Sequence, residues 1–428
     1  KYESQRPANL PAPVFAGYDE HDVSKGTLMP AVASAIPPSK ATAHAPLRTG
    51  SDTVVGVTWR DEATKLEHVT TGRLTVVADG MFSTFRNKFN IEKPTTLCFM
   101  CGLLLHHPPF QTPLPYPHRG HVVLADPHPV LLYQISSTET RVLVDVPAPL
   151  PSIEDGTLRK YFVERIAPQL PESVRPFFLE AANTQEPYCM PIRPLTGQHT
   201  EREGAILLGD SWNMRHPLTG GGMTVAIKDS EMLCTVLRDL DLQSTLRLLP
   251  LRPHARPRVY MHVNTRANAH ARTWFCNCVA PPLPAACSWE DIRAAVDRFQ
   301  EARASHAATI NVLANALRAV FSRPASDDSG TRSRLRAACI DYLSCGGACT
   351  AGPVGLLSGL TPKPAVLVSH FFAVAVHAMK LALLPFPTPK SLMQGYDLMR
   401  VACVIIMPLL ESEKATFLSS APVLALSN

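Results

Sequence analysis

The 428 residues are 46% hydrophobic and 18% charged, which is enough to bury a large core and excludes a disordered chain. A formal net charge of +5, spread without a continuous basic face, gives nucleic acid no footprint, although attraction to an anionic membrane surface stays compatible with it. The eleven cysteines are scattered and odd in number, and the chain opens on Lys1-Tyr2-Glu3 without a secretory signal, so reduced thiols facing the cytosol are expected.

Residues 1–51 combine Pro, Ala and Ser with little periodicity and predict an irregular segment. Order starts at Asp52: TVVGVTWRD and GRLTVVADG alternate or run in β-branched residues, with Asp61 to Thr64 as the turn, and predict a hairpin feeding a buried strand within 52–96. LCFMCGLLL carries Cys98 and Cys101 as a CxxC with no second CxxC or paired His, so ordinary buried cysteines are expected rather than a zinc or redox site, and likewise for Cys345 and Cys349. HVVLAD, PVLLYQISS and TRVLVDV, between His121 and Asp145, predict three strands of an antiparallel sheet in a second domain over 97–200. Helical spacing follows at Thr157 to Ile166 and Pro171 to Ala181. Over 201–237, GAILLGD reads as a buried strand ending in a turn and MTVAIKDSEMLCTVL as a helix.

Residues 238–290 hold six arginines between Arg247 and Arg272, several prolines and no regular spacing, which predicts a disordered insertion. A long helix then runs from Trp289 through Phe321. In the remaining helical region, within 291–428, two runs are strongly apolar: Val366 to Leu384, interrupted by His370, His377 and Lys380, and Leu398 to Leu410. The second has only about two-thirds of the roughly 20 residues that a membrane span requires, so a pair of helices dipping into one leaflet is expected.

The most informative stretch is Leu207 to Asp229, LLGDSWNMRHPLTGGGMTVAIKD. An acid at the end of a buried strand, Asp210 after Gly209, can accept hydrogen bonds from sugar-like hydroxyls such as the ribityl chain of a flavin. Gly220, Gly221 and Gly222 let backbone press against a flat ring and open a helix whose first amides, Met223 included, favour negative charge. Reduced flavin carries such charge, and Pro217 and Leu218 would lie beside the ring. An earlier strand ends in Asp79-Gly80, about 130 residues before Asp210; alone, an ADG is a plain strand-ending turn.

NMRHPLTGGGMTVA, with LTVVADGMFSTFR before it and AGPVGLLSGLTPKPAVLVSHFFAVAV after it, resembles the squalene epoxidases. DPHPVLLYQISSTETRVLVDV and INVLANALRAVFS are similar to the same family, so the likeness covers Asp52 to about Leu237 and Ile292 to about Ser412. The resemblance implies an α/β, FAD-dependent hydroxylase-like fold: an incomplete FAD domain, an antiparallel-sheet substrate domain and a helical, membrane-associated C-terminus. It also implies FAD-dependent epoxidation of squalene to 2,3-oxidosqualene with O2, in sterol biosynthesis. NADPH would supply the electrons through a partner reductase, at the endoplasmic reticulum membrane with the catalytic part facing the cytosol. No protein nucleophile and no metal is needed. FAD would be held by Asp79, Gly80, Gly209, Asp210, Gly220, Gly221, Gly222 and Met223; squalene would be lined by Leu124, Tyr133, Pro217, Leu218, Leu343, Leu356, His370 and Phe371. The family's GxGxxG and the arginine-bearing stretch after it do not occur in these residues, so a fragment or truncated gene product with weak or no flavin retention is expected. Two alternatives stay open at this point: a flavin hydroxylase of an aromatic or quinone substrate, and a non-catalytic lipid-binding remnant.

Overall fold

A computed structural model of the protein describes residues 41–48, 53–61, 64–89, 93–238, 240, 260–263, 272–274, 288–322 and 330–413. Strands β1 (Ala41–Arg48), β2 (Val54–Asp61) and β3 (Glu67–Thr71) form an antiparallel meander. Val57 and Trp59 leave one face of β2, and a register shift between Val54 and Gly56 lets Val54 join them in a core shared with Leu207, Trp212 and Val225. The irregular segment expected over 1–51 therefore needs correction at its end, where β1 pairs with β2; residues 1–40 lie outside the described residues. A third strand, β3, also intervenes between the predicted hairpin turn and the buried strand β4 (Thr75–Val77).

The larger sheet has five antiparallel strands in the order β6-β7-β8-β5-β9: β5 (Cys98–His106), β6 (His121–Val123), β7 (Val130–Gln134), β8 (Glu139–Pro147) and β9 (Tyr188–Ile192). Its period-2 alternation gives it two faces. Cys101, Leu103, Leu105, Val142 and Val144 pack beneath α1 (Thr157–Tyr161), the turn that continues it to Ile166, and α2 (Arg175–Thr184). Cys98, Met100, Leu131 and Leu143 line the opposite face, from which Leu131 also reaches the C-terminal helices.

A second, smaller sheet runs β10-β4-β11-β12, with β10 (Ala205–Leu207), β11 (Tyr260–Val263) and β12 (Arg272–Trp274). Both β10 and β11 are parallel to β4. The disordered insertion expected over 238–290 thus contributes two short strands, because β4 offers an unpaired edge that backbone groups can satisfy whatever the side-chain pattern; its remaining residues apart from 238, 240 and 288–290 lie outside the described residues.

Helix α3 (Gly221–Leu237) packs on α4 (Trp289–Phe321). The start of α4 is fixed by Ser288, whose Oγ accepts from the Asp291 amide while the Asp291 carboxylate accepts back from Ser288. Around the second half of α4 gather α5 (Thr331–Ser344), α6 (Ala348–Leu357), α7 (Pro364–Leu383) and α8 (Pro389–Ser412). Helix α8 begins nine residues before the apolar run that marks it in the sequence, under a Thr388 cap that accepts from the Ser391 amide, and runs on through Pro408. The polar first turns of an amphipathic helix leave no trace in a hydropathy run, which is why the run is shorter than the helix.

Candidate functional site

Parallel pairing of β4 with β10 puts Val77 beside Leu207, and the Leu208 amide donates to Val77 O at 2.8 Å. The two strands end side by side, so the turns that follow share one crevice at their carboxyl ends, the place where open α/β sheets bind ligands. In the first turn Gly80 takes a left-handed φ of 76° and Asp79 folds its carboxylate back, Oδ2 accepting from the amides of Thr84 (2.9 Å) and Phe85 (3.3 Å). Asp79 is buried, Oδ1 finds no partner among the described residues, and burial raises its pKa against the pull of Ser83 and those amides. In the second turn Gly209, at φ 63°, allows a tight loop in which the Ser211 hydroxyl donates to Val77 O (2.8 Å) or to Leu208 O (2.7 Å).

Arg86 joins the two turns. Its guanidinium donates to Gly80 O (3.2 Å) and Met81 O (3.1 Å) on one side, and to Asp210 O (2.7 Å) and Ser211 O (2.9 Å) on the other. Its side chain is buried, so these bonds are formed away from competing water. Beneath the second turn, Arg303 is fully buried, lies 3.6 Å from the centre of the Trp212 ring and donates to Leu207 O at 2.6 Å.

Asp210 keeps an accessible surface although protein atoms crowd it closely enough for desolvation to raise its pKa, with Arg215 and Arg86 opposing. That combination describes an acid on the floor of a concave crevice. Arg215 ties the loop to the helix beyond it, donating from Nη1 to Gly221 O (3.0 Å) and from Nη2 to Asn213 O (3.0 Å) and the Asn213 side chain. Helix α3 then opens on Gly220, which is left-handed at φ 66°, and its first amides have no intrahelical acceptor.

The three glycines differ in what surrounds them. A methyl on Gly220 or Gly222 would meet nothing within 4 Å, whereas one on Gly221 would come to 2.5 Å from Ile310 Cγ2 on α4. Gly221 is required by helix packing. Gly220 and Gly222 border open space, and Met223 beside them is exposed. The residues present therefore fit a flat, hydroxyl-bearing, anion-forming group such as FAD: a recessed carboxylate, a second buried acid with an unused oxygen, and a helix start with two open glycines.

A buried polar cluster lies next to this crevice. His216 Nδ1 accepts from the Leu218 amide at 3.2 Å, which leaves Nε2 to carry the proton toward Asp145 Oδ2, 3.2 Å away at ion-pair range rather than in an aligned hydrogen bond. Arg318 Nε lies 3.3 Å and His128 Nδ1 3.7 Å from the same oxygen. Burial alone would raise the Asp145 carboxyl, but His216, Arg318 and His128 together hold it below the usual range. Cys98, Asp145 and His216 bring ligand-type atoms within 4.8 Å of one another; Arg318 already supplies the cation there, and the Cys98 thiol is pushed up to about 12 by burial.

Of the residues predicted to line an apolar pocket, Leu343, Leu356, His370 and Phe371 border one cavity between α4, α5, α6 and α7, together with Leu313, Leu317 and Val374. Leu218 and Leu124 belong to the same apolar cluster. Pro217 is half-buried and Tyr133 exposed, and neither borders the cavity. His370 Nδ1 is 2.8 Å from Tyr342 Oη, and its ring fills the space a side chain on Gly352 would need. His377 meets Asp341 at 2.6 Å, so both histidines that interrupt the apolar run of α7 are satisfied by α5.

Sequence reasoning missed Arg86, Arg215, Arg303 and Asp145 as members of the site. Arg86 and Arg215 stand inside the two stretches singled out for their acids and glycines; an arginine flanked by turn carbonyls is the signal that was there to be read. Arg303 and Asp145 sit in ordinary helix and strand patterns and carry no such mark.

A sequence model of the family described as squalene epoxidase matches residues 71–269 and 281–394. The chain is 40% identical over 366 residues to squalene epoxidase 1 of Arabidopsis thaliana, covering 84% of this chain and 59% of that protein. It is 37% identical over 366 residues to squalene monooxygenase of Mus musculus, covering 85% of this chain and 54% of that protein. It thus spans little more than half the length of these curated relatives. Among solved structures it is similar to Klebsiella pneumoniae HpxO complexed with FAD and uric acid, with a TM-score of 0.48 and 16% identity over 76% of this chain and 66% of that one; a likeness that distant bears no weight for function.

Proposed function

Because the chain belongs to the squalene epoxidase family, we propose that it carries the flavin-facing crevice and substrate pocket of an FAD-dependent monooxygenase that converts squalene to 2,3-oxidosqualene. The overall reaction consumes O2 and NADPH with one proton and releases water and NADP+, with electrons passing through a partner reductase. The observation that carries this reading is Leu218: it belongs to the apolar cluster of the cavity helices, while Gly220 and Gly222, two and four residues further on, border the open crevice. One short loop thus runs from the apolar cluster around the cavity to the open crevice.

When bound, FAD supplies the oxygen-activating redox chemistry. The chain does the rest. Asp210 would accept from ribityl hydroxyls, the first amides of α3 would favour the negative charge of the reduced ring, and Asp79 would offer its unused oxygen. Arg86 holds both acids' turns in place from below and is a positioning residue. Leu124, Leu218, Leu343, Leu356 and Phe371 present apolar surface to a hydrocarbon, drawn into place by removal of its area from water. The same walls keep water from the reacting centre. No nucleophile or general base is called for in this reading.

The helices offer a route for so insoluble a substrate. Leu360, Phe386, Met393, Tyr396 and Val404 are all more than half exposed on or beside α7 and α8, and both helices are long and apolar enough by composition to cross a membrane. Such a surface fits the interface of a bilayer. We place it at the cytosolic face of the endoplasmic reticulum membrane.

The test is conversion by the chain joined to the part of a curated relative that it does not span, supplied with FAD, NADPH, a reductase and O2. 2,3-Oxidosqualene from squalene, with p-hydroxybenzoate unchanged, is the expected result. Hydroxylation of the aromatic compound with squalene untouched would overturn it.

A further inference from the structure

Cys98 and Cys101 are three apart on β5, so in a strand of period 2 their side chains leave opposite faces of the sheet. The CxxC is therefore not a functional pair. Cys98 faces Asp145, and Cys101 faces the helical layer, where it stands directly opposite Cys189 in the antiparallel ladder of β5 with β9. The two sulfurs are 2.7 Å apart and both thiols are free. Cys101 is fully buried; Cys189 is half-buried on β9, the edge strand, next to the exposed Tyr188.

This pairing has the ingredients of an oxidation site. Residues directly opposite in an antiparallel ladder have Cα atoms about 4.5–5.5 Å apart, within the range of about 4.4–6.8 Å that a disulfide bridges. The contact between the two sulfurs, Cys189 Sγ donating to Cys101 Sγ, holds the Cys189 thiol below its ordinary pKa, while that same contact, and then burial, push Cys101 up. Peroxide reaches the half-buried Cys189 sulfur on the edge strand first, and the fully buried Cys101 sulfur opposite it is placed to resolve the intermediate.

We propose that Cys101 and Cys189 form a reversible modification site, closed to a cross-strand disulfide by a peroxide. The Cys189 thiolate attacks one oxygen of hydrogen peroxide; the O–O bond breaks, and the departing hydroxide takes up the proton that Cys189 had released, giving water and a sulfenic acid. The Cys101 sulfur then displaces the hydroxyl from Cys189, which leaves as a second water with the proton Cys101 had carried. Two thiols are oxidised and one peroxide is reduced to two waters. The new bond fastens edge strand β9 to β5 on the face of the sheet away from Asp145. The bridge borders the half-buried edge strand, where small thiols can reach and reduce it.

The experiment uses the full chain as purified under reducing conditions, its fold checked by circular dichroism. It is treated with hydrogen peroxide, blocked with iodoacetamide and digested without reductant for mass spectrometry. The expected product is one peptide pair joining Cys101 to Cys189, lighter than its two parts by two hydrogens, released by dithiothreitol and absent from the Cys189→Ser variant; the untreated protein shows both cysteines alkylated or protected singly. Oxidation of Cys189 to a sulfinic acid with Cys101 still free would overturn the proposal, as would a bridge between Cys98 and Cys101. Recovery of Cys101 and Cys189 unbridged, under conditions that oxidise other cysteines of the folded chain, would overturn it equally.

Discussion

A side chain on Gly221 has no room beside Ile310, and one on Gly222 has nothing to meet. Gly221→Ala is therefore expected to lower stability by about 1–3 kcal/mol, the usual cost of overpacking, read as a fall in the urea midpoint. Gly222→Leu should leave the midpoint within experimental scatter yet weaken FAD binding at least tenfold, because the added side chain enters the space proposed for the ring. From the sequence the three glycines look alike; only packing against α4, more than eighty residues away, separates them. Asp229 was equally illegible, since in the sequence it is one more polar residue of a helix. It is fully buried on α3, and burial raises its pKa to about 7 despite Arg303 and Arg215. A raised carboxyl binds its proton more tightly in the folded state, so this stabilisation is whole below about pH 4, the unfolded value, and is lost as the pH climbs to about 7. Asp229→Asn should remove that pH dependence: urea midpoints from pH 4 to 8 are expected to fall less steeply in the variant, by a difference of a few kcal/mol at most. Parallel curves would count against the burial argument.

At the scale of elements, the site rests on β4 and β10 ending together and on one guanidinium spanning their turns. Arg86→Ala deletes donors to four carbonyls in a buried place, and about 3 kcal/mol of stability should go with them. Arg86→Lys keeps the charge but cannot reach both turns, so it is expected to recover much of the stability while FAD affinity stays low; equal recovery of both would show that Arg86 acts through charge alone. Strand β4 was legible from its run of β-branched residues, strands β6 to β8 from apolar stretches separated by turn residues, and helix α4 from helical spacing. Strand β5 was not, since CFMCGLLLH is buried on both faces and so lacks alternation. Strands β1 and β11 form by pairing with edges of β2 and β4, and β12 by pairing with β11 in turn, a property of the partner rather than of their own residues.

For the molecule as a whole, the acids, the open glycines and the apolar cavity come from segments far apart in the chain, and motif order alone placed them in one site without saying which touch. The exposed apolar surface of α7 and α8 predicts that the protein floats with phospholipid vesicles, and that Phe386→Glu with Tyr396→Glu lowers the bound fraction several-fold while leaving the urea midpoint of the core unchanged. The central claim is that the strand-end crevice holds a flavin against the apolar cluster. It is tested most directly by titrating FAD, followed by its fluorescence and visible spectrum, into the chain joined to the part of a relative that it does not span, beside the same protein with Asp210→Ala. Saturable quenching with a shifted flavin spectrum, weakened at least tenfold by Asp210→Ala, is the predicted result; a protein that stays colourless, or binds FAD equally well without the Asp210 carboxylate, would contradict it.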